Sequence, residues 1–314
     1  MKNNGTNTPC RDVMIGTWAW GAGYNGSKMI FGKGYDEAGL KNTFDKAAAL
    51  GFLKWDTAAV YGMGSCEKLL GRFIHNREDI FISTKFFPNM IFKSGALLKS
   101  FAESTGRLGI KYADLFWIHK PNNLLKNLNE AVPLIKDGRI RSIGISNVSL
   151  SDIKNAEEFL DKHKLKLGAV QNHFSLLRND QQPIIDYCKQ RGITYYAYMV
   201  LEQGALAGRY SAENHFPTFS MRNLSFPKSK FKKIEGLLDT MKEIADKHGI
   251  DRSQIPILWA TAKGAVPIVG ITKPSYAEKL ADALKVTLSG EEIDRLTEEA
   301  RKTGIRQQSS WEPQ

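Results

Sequence analysis

The sequence predicts a closed α/β barrel of the (β/α)8 TIM type, one domain spanning residues 1–314, with extra C-terminal helices and loops. Three observations predict it. Eight short β-type segments recur along the chain, separated by amphipathic stretches. Several of these segments are continuous apolar runs rather than alternations, as expected of strands covered on both faces. Three consecutive ones end in a single ionisable side chain, and a parallel barrel gathers its strand ends on one face.

The elements follow in order. Residues 13–17 form the first strand candidate. A helix is expected over 36–50, where Leu40, Phe44 and Ala47 recur at helical spacing and Gly51 supplies the C-terminal stop. Strand candidates 52–56 and 80–85 come next. The stripe Leu97, Phe101, Thr105, Leu108 then predicts a helix before strand 115–119, and Leu124, Leu128, Val132, Ile135 another after it. Strands 141–146, 169–172, 193–198 and 265–270 complete the eight. No Pro/Gly/Ser-rich linker or close repeat divides the chain. The longest stretch without a strand, 209–233, carries Pro217 and Pro227 with Phe216, Phe219 and Phe226. It follows a strand, so a functional or mobile segment on the catalytic face is expected there. The polar tail after Lys302 ends in Ser-Ser-Trp311-Glu-Pro-Gln. Two readings stay open for it: a disordered terminus, or Trp311 folded back over the pocket.

Bulk properties narrow the class. Of 314 residues 42% are hydrophobic and 25% charged, ordinary proportions for a globular protein. No apolar run reaches the ~18 residues of a membrane helix, and the start, Met-Lys-Asn-Asn-Gly-Thr, lacks the apolar stretch of a secretory signal. Three widely spaced cysteines, Cys10, Cys66 and Cys188, argue against a disulfide framework or structural zinc. A cytoplasmic protein without a metal is the expectation. The net charge of +11 reads either as a lysine-rich soluble surface or as attraction for an anionic small molecule. The basic clusters 162–166 and 228–233 lack interleaved aromatic platforms, so no nucleic-acid partner is expected.

One motif is a decoy. Gly21-Ala-Gly23-Tyr-Asn-Gly26 fits G-x-G-x-x-G after a strand, but a dinucleotide fingerprint needs a helix opening at the third glycine. The following residues hold two more glycines and a poor helical pattern, so a flexible loop is the expectation. No P-loop, G-x-S-x-G elbow or H-E-x-x-H is present.

The strand ends carry the chemistry. Asp56 closes the second strand, Lys85 the third and His119 the fourth, and Tyr61 lies five positions beyond Asp56. Taken singly, each has an ordinary explanation: a cap, a packed ring, a solvated strand end, a core histidine. Their shared position predicts one pocket in which a carboxylate, an ammonium, an imidazole and a phenol transfer a proton.

The residues around them resemble a known family. Trp55-Asp-Thr-Ala-Ala-Val-Tyr-Gly62, with Glu67 and Leu70-Gly71 downstream, resembles the signature of the aldo-keto reductase superfamily. Gly138-Arg-Ile-Arg-Ser-Ile-Gly-Ile-Ser-Asn147 resembles its second signature and Val170-Gln-Asn172 its third. Ala197-Tyr198, Gly204-Ala-Leu-Ala-Gly208 and Pro267-Ile-Val-Gly270 resemble the later ones. The likeness runs from about Val13 to Leu288 and is greater to bacterial and plastid-like members than to mammalian aldose reductases.

The resemblance implies reduction of a small-molecule aldehyde or ketone with NADPH, or NADH as the alternative, held in extended form across the barrel mouth. It implies that Tyr61 gives the proton, that Lys85, held by Asp56, lowers the phenol's ordinary pKa of ~10, and that His119 orients the carbonyl oxygen. Ser146, Asn147 and Gln171 match the positions that hold the nicotinamide carboxamide, and Tyr198 the ring that stacks on it, with simple strand packing as its other reading. Gly204, Leu206 and Arg209 match the pyrophosphate positions, and Gly270, Thr272 and Lys273 follow the last strand toward the adenosine. Trp18, Trp20 and Phe87 would wall the substrate pocket or merely pack its rim. Two departures stand out. Cys66 replaces a small hydroxyl residue, and Tyr276, Lys279 and Leu280 stand where the family has an arginine followed by Glu-Asn. A forked guanidinium for a 2′-phosphate is therefore missing from its usual place. The resemblance also admits a second class, a cofactor-binding redox-sensing regulator with little turnover. A hydrolase or isomerase barrel would leave the nicotinamide positions unexplained. The sequence carries no signal of oligomeric state.

Overall fold

Eight parallel strands close into a barrel in sequence order: β1 (Met14–Gly16), β2 (Lys54–Asp56), β3 (Phe81–Phe86), β4 (Leu115–Ile118), β5 (Ile143–Ser146), β6 (Leu167–His173), β7 (Thr194–Tyr198) and β8 (Val266–Gly270). Closure is direct, with Ile15 opposite Val269 and Gly16 opposite Gly270. The computed structural model describes residues 12–24, 26–32, 34–217 and 220–308. Trp311 and Phe219 lie outside them. Each strand overlaps its predicted segment, and the fold is the (β/α)8 barrel that the sequence implied.

Strand alternation sorts the side chains into two layers. Met14, Leu115, Trp117, Ala169, Tyr196 and Val266 point inward and fill the barrel. Their neighbours Ile15, Phe116, Ile118, Val170 and Ala197 point outward into a second, larger core under the helices. The inner layer is tight. A Cβ on Gly144 of β5 would meet the Trp117 ring at 2.3 Å, so only glycine leaves room for that indole.

The period of two carries this inward row upward to the rim. The inward row reaches the rim at Gly16, Asp56, Lys85, Ser146, Gln171, Tyr198 and Gly270, with His119 one step beyond the end of β4, while β6 runs one inward step further to His173. All eight strands thus deliver one residue to the same ring, which is why positions scattered over the sequence meet.

The helices form where amphipathic spacing demanded them. Glu37–Ala49 starts at Asp36, whose side chain accepts from the Gly39 amide at 2.7 Å. In Ala96–Leu108 the buried face is Leu97, Phe101, Ser104 and Leu108. Thr105, expected in that stripe, instead donates its hydroxyl to Phe101 O, because helical drift turns the fourth row toward Ser104.

The described residues of the stretch 209–233 include helical turns that the sequence reading did not assign. Phe216, Phe226 and Phe231 are buried, and the Phe231 ring meets the other two edge to face with centroids 5.4 and 4.8 Å away, anchoring two short helices, Met221–Ser225 and Lys228–Lys233. No helix among the described residues is long and apolar enough to cross a membrane.

A capping box starts the final helix, Gly290–Lys302: Ser289 and Glu292 exchange hydrogen bonds, and Lys247 and His248 also donate to Glu292. Burial alone would raise this carboxyl, but these donors outweigh it and bring it down from an ordinary 4.5 to about 2. A depressed folded pKa stabilises the fold above the unfolded value, and that contribution is lost as pH falls through the folded one. Glu292→Gln is therefore expected to cost about 2 kcal/mol at neutral pH. The difference from the parent should shrink between pH 4.5 and 2. Urea unfolding at a series of pH values checks it, and a pH-independent loss would rule out the charge as its origin.

Candidate active site

The ring of strand ends opens into a cavity of about 270 Å³ lined by Trp18, Tyr61, His119, Asn147, Gln171 and Tyr198, among others. Asp56 and Lys85 form its buried base. Lys85 donates to Asp56 Oδ2, and to Thr57 O at 2.8 Å. Asp56 Oδ1 accepts from Ser83 Oγ at 2.7 Å, and Ser83 in turn accepts from Trp117 Nε1 at 2.6 Å. The inner core thus aims the carboxylate at the lysine. Ser83 is a site residue that sequence reading missed, although it sits two positions before Lys85 on the same inward row.

Tyr61 is brought over this pair by a tight turn. Gly62, Met63 and Gly64 all have positive φ. Gly62 also packs against the β1 loop, where a Cβ on Gly21 would lie 2.8 Å from Cys66 Sγ and 3.1 Å from Gly62 Cα. Gly21 is therefore a packing glycine, not part of a flexible loop. A short helix, Ser27–Phe31, does open at Gly26, against expectation, but it is barely more than one turn. Cys66 packs beneath the turn: its thiol donates to Thr17 O, and burial pushes its pKa up to about 12.

The electrostatics correct one expectation. The Lys85 ammonium lies 5.0 Å from the Tyr61 ring centroid, yet the phenol is held well above its ordinary pKa. Burial is the main cause, followed by the Asp56 carboxylate. Burial likewise lowers Lys85 against the opposing pull of Asp56. His119 is driven well below the usual imidazole range by burial, then by Lys85 and Lys120. At neutral pH the site holds a protonated phenol beside a neutral imidazole, their rings 6.1 Å apart.

The other wall holds Asn147, itself at φ 61. Its Nδ2 donates to His119 O at 2.8 Å and to Ser146 Oγ at 3.1 Å, and its Oδ1 accepts from Tyr198 OH at 2.6 Å. Ser146 Oγ donates to Gln171 O. Gln171 Nε2 is buried and has no hydrogen-bond partner among the described residues. Behind Tyr198, the His173 ring stacks at 5.5 Å and pairs with the buried Glu202 at 2.7 Å. Neither His173 nor Glu202 carried a sequence signal.

Beyond Gly204 and Gly270 a second cavity continues the first and includes Arg209, Thr272, Lys273 and Tyr276. Leu206 is buried beneath it. Arg222, Arg252 and Asp251, which sequence reading missed, line it too. Asp251 pairs with Lys279 at 2.5 Å. Arg252 donates to Gly208 O.

The family model described as "Aldo/keto reductase family" matches residues 12–301. The chain belongs to the aldo-keto reductases. It is 30% identical to the chloroplastic pyridoxal reductase of Arabidopsis thaliana over 312 residues, covering 92% of this chain and 83% of that protein. Against the yeast Schizosaccharomyces pombe protein "Aldo-keto reductase yakc [NADP(+)]" the figures are 29% over 303 residues, 89% and 87%. The glycerol dehydrogenase of Gluconobacter oxydans superposes with a TM-score of 0.80 at 23% identity, covering 98% of this chain and 96% of that one. That likeness speaks for the fold.

As an aldo-keto reductase the chain is an NAD(P)H-dependent oxidoreductase of small-molecule carbonyl compounds. Its barrel corrects one further expectation. Trp20 does not wall the pocket: it is buried, donates Nε1 to Ile271 O at 2.7 Å and packs on Trp55. The 3-10 turn Trp18–Trp20 sends the two indoles to different layers. Trp18 stacks on Tyr61 at 5.9 Å. Phe87 stands edge-on to His119 at 5.7 Å.

Proposed function

We propose that this reductase converts an aldehyde or ketone to the alcohol with NADPH, with Tyr61 as the proton donor. The observation that carries the reading is the unsatisfied Gln171 amide in the same cavity as Tyr61 and His119. A buried donor without a partner costs about 1–3 kcal/mol, and a carboxamide oxygen would relieve that cost. Asn147 and Ser146 would hold the rest of that amide, Tyr198 would stack on the ring, and the second cavity would take the pyrophosphate and adenosine. When bound, the dihydronicotinamide supplies a hydride to the carbonyl carbon. Tyr61 passes its proton to the carbonyl oxygen, closing the two-electron reduction to an alcohol. Burial keeps that proton on the phenol until it is needed, and Lys85 steadies the phenolate left behind. His119, neutral, donates a hydrogen bond that fixes the oxygen. Consumption of NADPH on addition of simple aldehydes tests the reading, and its absence across a broad panel would sink it.

The adenosine end predicts only a modest preference for NADPH. Lys273 is exposed, Lys279 is engaged by Asp251, and Arg222 and Arg252 already donate to the backbone carbonyls of Gln203, Phe31 and Gly208, so we expect a 2′-phosphate to meet single hydrogen bonds rather than a fork. Lys273→Ala is expected to weaken NADPH binding by ~3-fold to 10-fold, leave NADH nearly unchanged, and lose its effect at high salt. Fluorescence titration with both cofactors checks this. Equal losses for the two would remove Lys273 from the role.

A further inference from the structure

The loop that leaves β7 holds its backbone in an unusual shape. Met199, Glu202 and Gln203 all have positive φ, at 62°, 46° and 54°, and Gly204 follows at 99°. Left-handed backbone is unfavourable for any residue with a side chain, and it persists only where the surroundings hold it. The loop is also placed to matter. Met199, Val200, Leu201, Gln203 and Gly204 line the first cavity, and Leu201 and Gly204 line the second as well. It forms the joint between the two.

Glu202 turns the other way. It is 3% exposed, and its carboxyl group reaches back to the end of β6. Oε1 meets His173 Nε2 at 2.7 Å and also accepts from Ser175 Oγ. Ser175 Oγ takes the Leu177 amide at 3.1 Å, which leaves the hydroxyl proton for Glu202. The His173 ring lies against Tyr198 at 5.5 Å, so a single side chain ties the loop to the residue behind the cavity wall. Oε2 is buried without a hydrogen-bond partner among the described residues. Packing alone gives no reason to keep a half-satisfied carboxyl group in the interior, since an apolar side chain would fill the space without that cost.

Resting on the reductase reading above, we infer that Glu202 is a positioning residue for the cofactor. Anchored on His173 and Ser175, it holds residues 199–204 in their left-handed path before the dinucleotide arrives, so that the joint between the cavities is set in the free protein. Binding then spends nothing on ordering the loop. If the loop adopts this path only about one time in ten, apparent affinity drops about tenfold.

Three substitutions separate the anchor from the turn. Glu202→Ala keeps the backbone strain and loses the anchor. Its dissociation constant for NADPH, read by fluorescence titration, should rise about tenfold, with the loss on KM for NADPH rather than on kcat. Hydrogen exchange in the free variant should quicken at the amides of Glu202's neighbours Gly204 and Leu206, which donate to Leu201 O, and NADPH should restore their protection. Glu202→Gly removes the strain together with the side chain, so it should lose less affinity than alanine, the reverse of the usual order. Glu202→Gln keeps an oxygen for Ser175 and His173 and should stay within about threefold of the parent. If alanine does not fold, glycine must still weaken NADPH binding more than glutamine does. A loop that loosens with NADPH affinity unchanged, an affinity lost without local loosening, or glycine faring worse than alanine overturns the proposal. Each of these leaves the reductase reading intact as long as the parent oxidises NADPH with aldehydes. A parent that binds no NADPH overturns both.

Discussion

Tyr61→Phe is expected to lower carbonyl reduction about 10³-fold while NADPH still binds, because it removes the proton donor and little else. The ring remains to stack on Trp18, 5.9 Å away, so the cavity keeps its shape and tryptophan fluorescence still reports the cofactor. The loss should fall on kcat. The parent's pH profile carries the complementary signature. With the phenol held above its ordinary value of 10.0 by burial and by Asp56, reduction should stay level through neutral pH and decline only in alkaline solution. No limb should appear near 6.5, since His119 titrates well below that. Near-normal turnover in Tyr61→Phe would falsify the assignment of the donor.

The barrel and its central residues were legible because one physical rule ties them together. Apolar strands of a covered sheet read as continuous runs, and the alternation that puts Trp117 in the core also puts His119 on its rim. Asp56 and Lys85 obey the same parity. What stayed hidden did so for local reasons. Trp18 and Trp20 share parity in sequence, but a 3-10 turn has a period of three, and it carried Trp20 into the outer core. Ser83 looked like strand filler, because a hydroxyl's role depends on what lies across the barrel. Arg222, Arg252 and Asp251 come from segments with no motif, placed over the second cavity by the buried Phe216–Phe226–Phe231 cluster and the packing around it. The direction of the Tyr61 shift was misread because sequence proximity names the charged neighbours but not the burial that outweighs them.

Lys85→Met should remove both activity and stability, and the two effects can be separated. The ammonium is fully buried and donates to Asp56 Oδ2 and Thr57 O. Methionine fills the same volume and donates nothing. Turnover should fall about 10²–10⁴-fold, since no charge remains to steady the phenolate left by proton transfer. Asp56, only 3% exposed, would at the same time keep a carboxylate without its counter-ion. Breaking a buried pair in this way costs about 3–5 kcal/mol, so the single variant should unfold at markedly lower denaturant. In the double variant Lys85→Met with Asp56→Asn the buried charge is gone, and an amide can still take the hydrogen bond from Ser83. Much of the stability should return, measured by urea unfolding, but the turnover should not. If the double variant regains activity along with stability, the lysine serves the fold rather than the reaction. If it regains stability alone, the ammonium acts on the chemistry of Tyr61, and the pair persists in the barrel despite its desolvation cost because the proton transfer needs it.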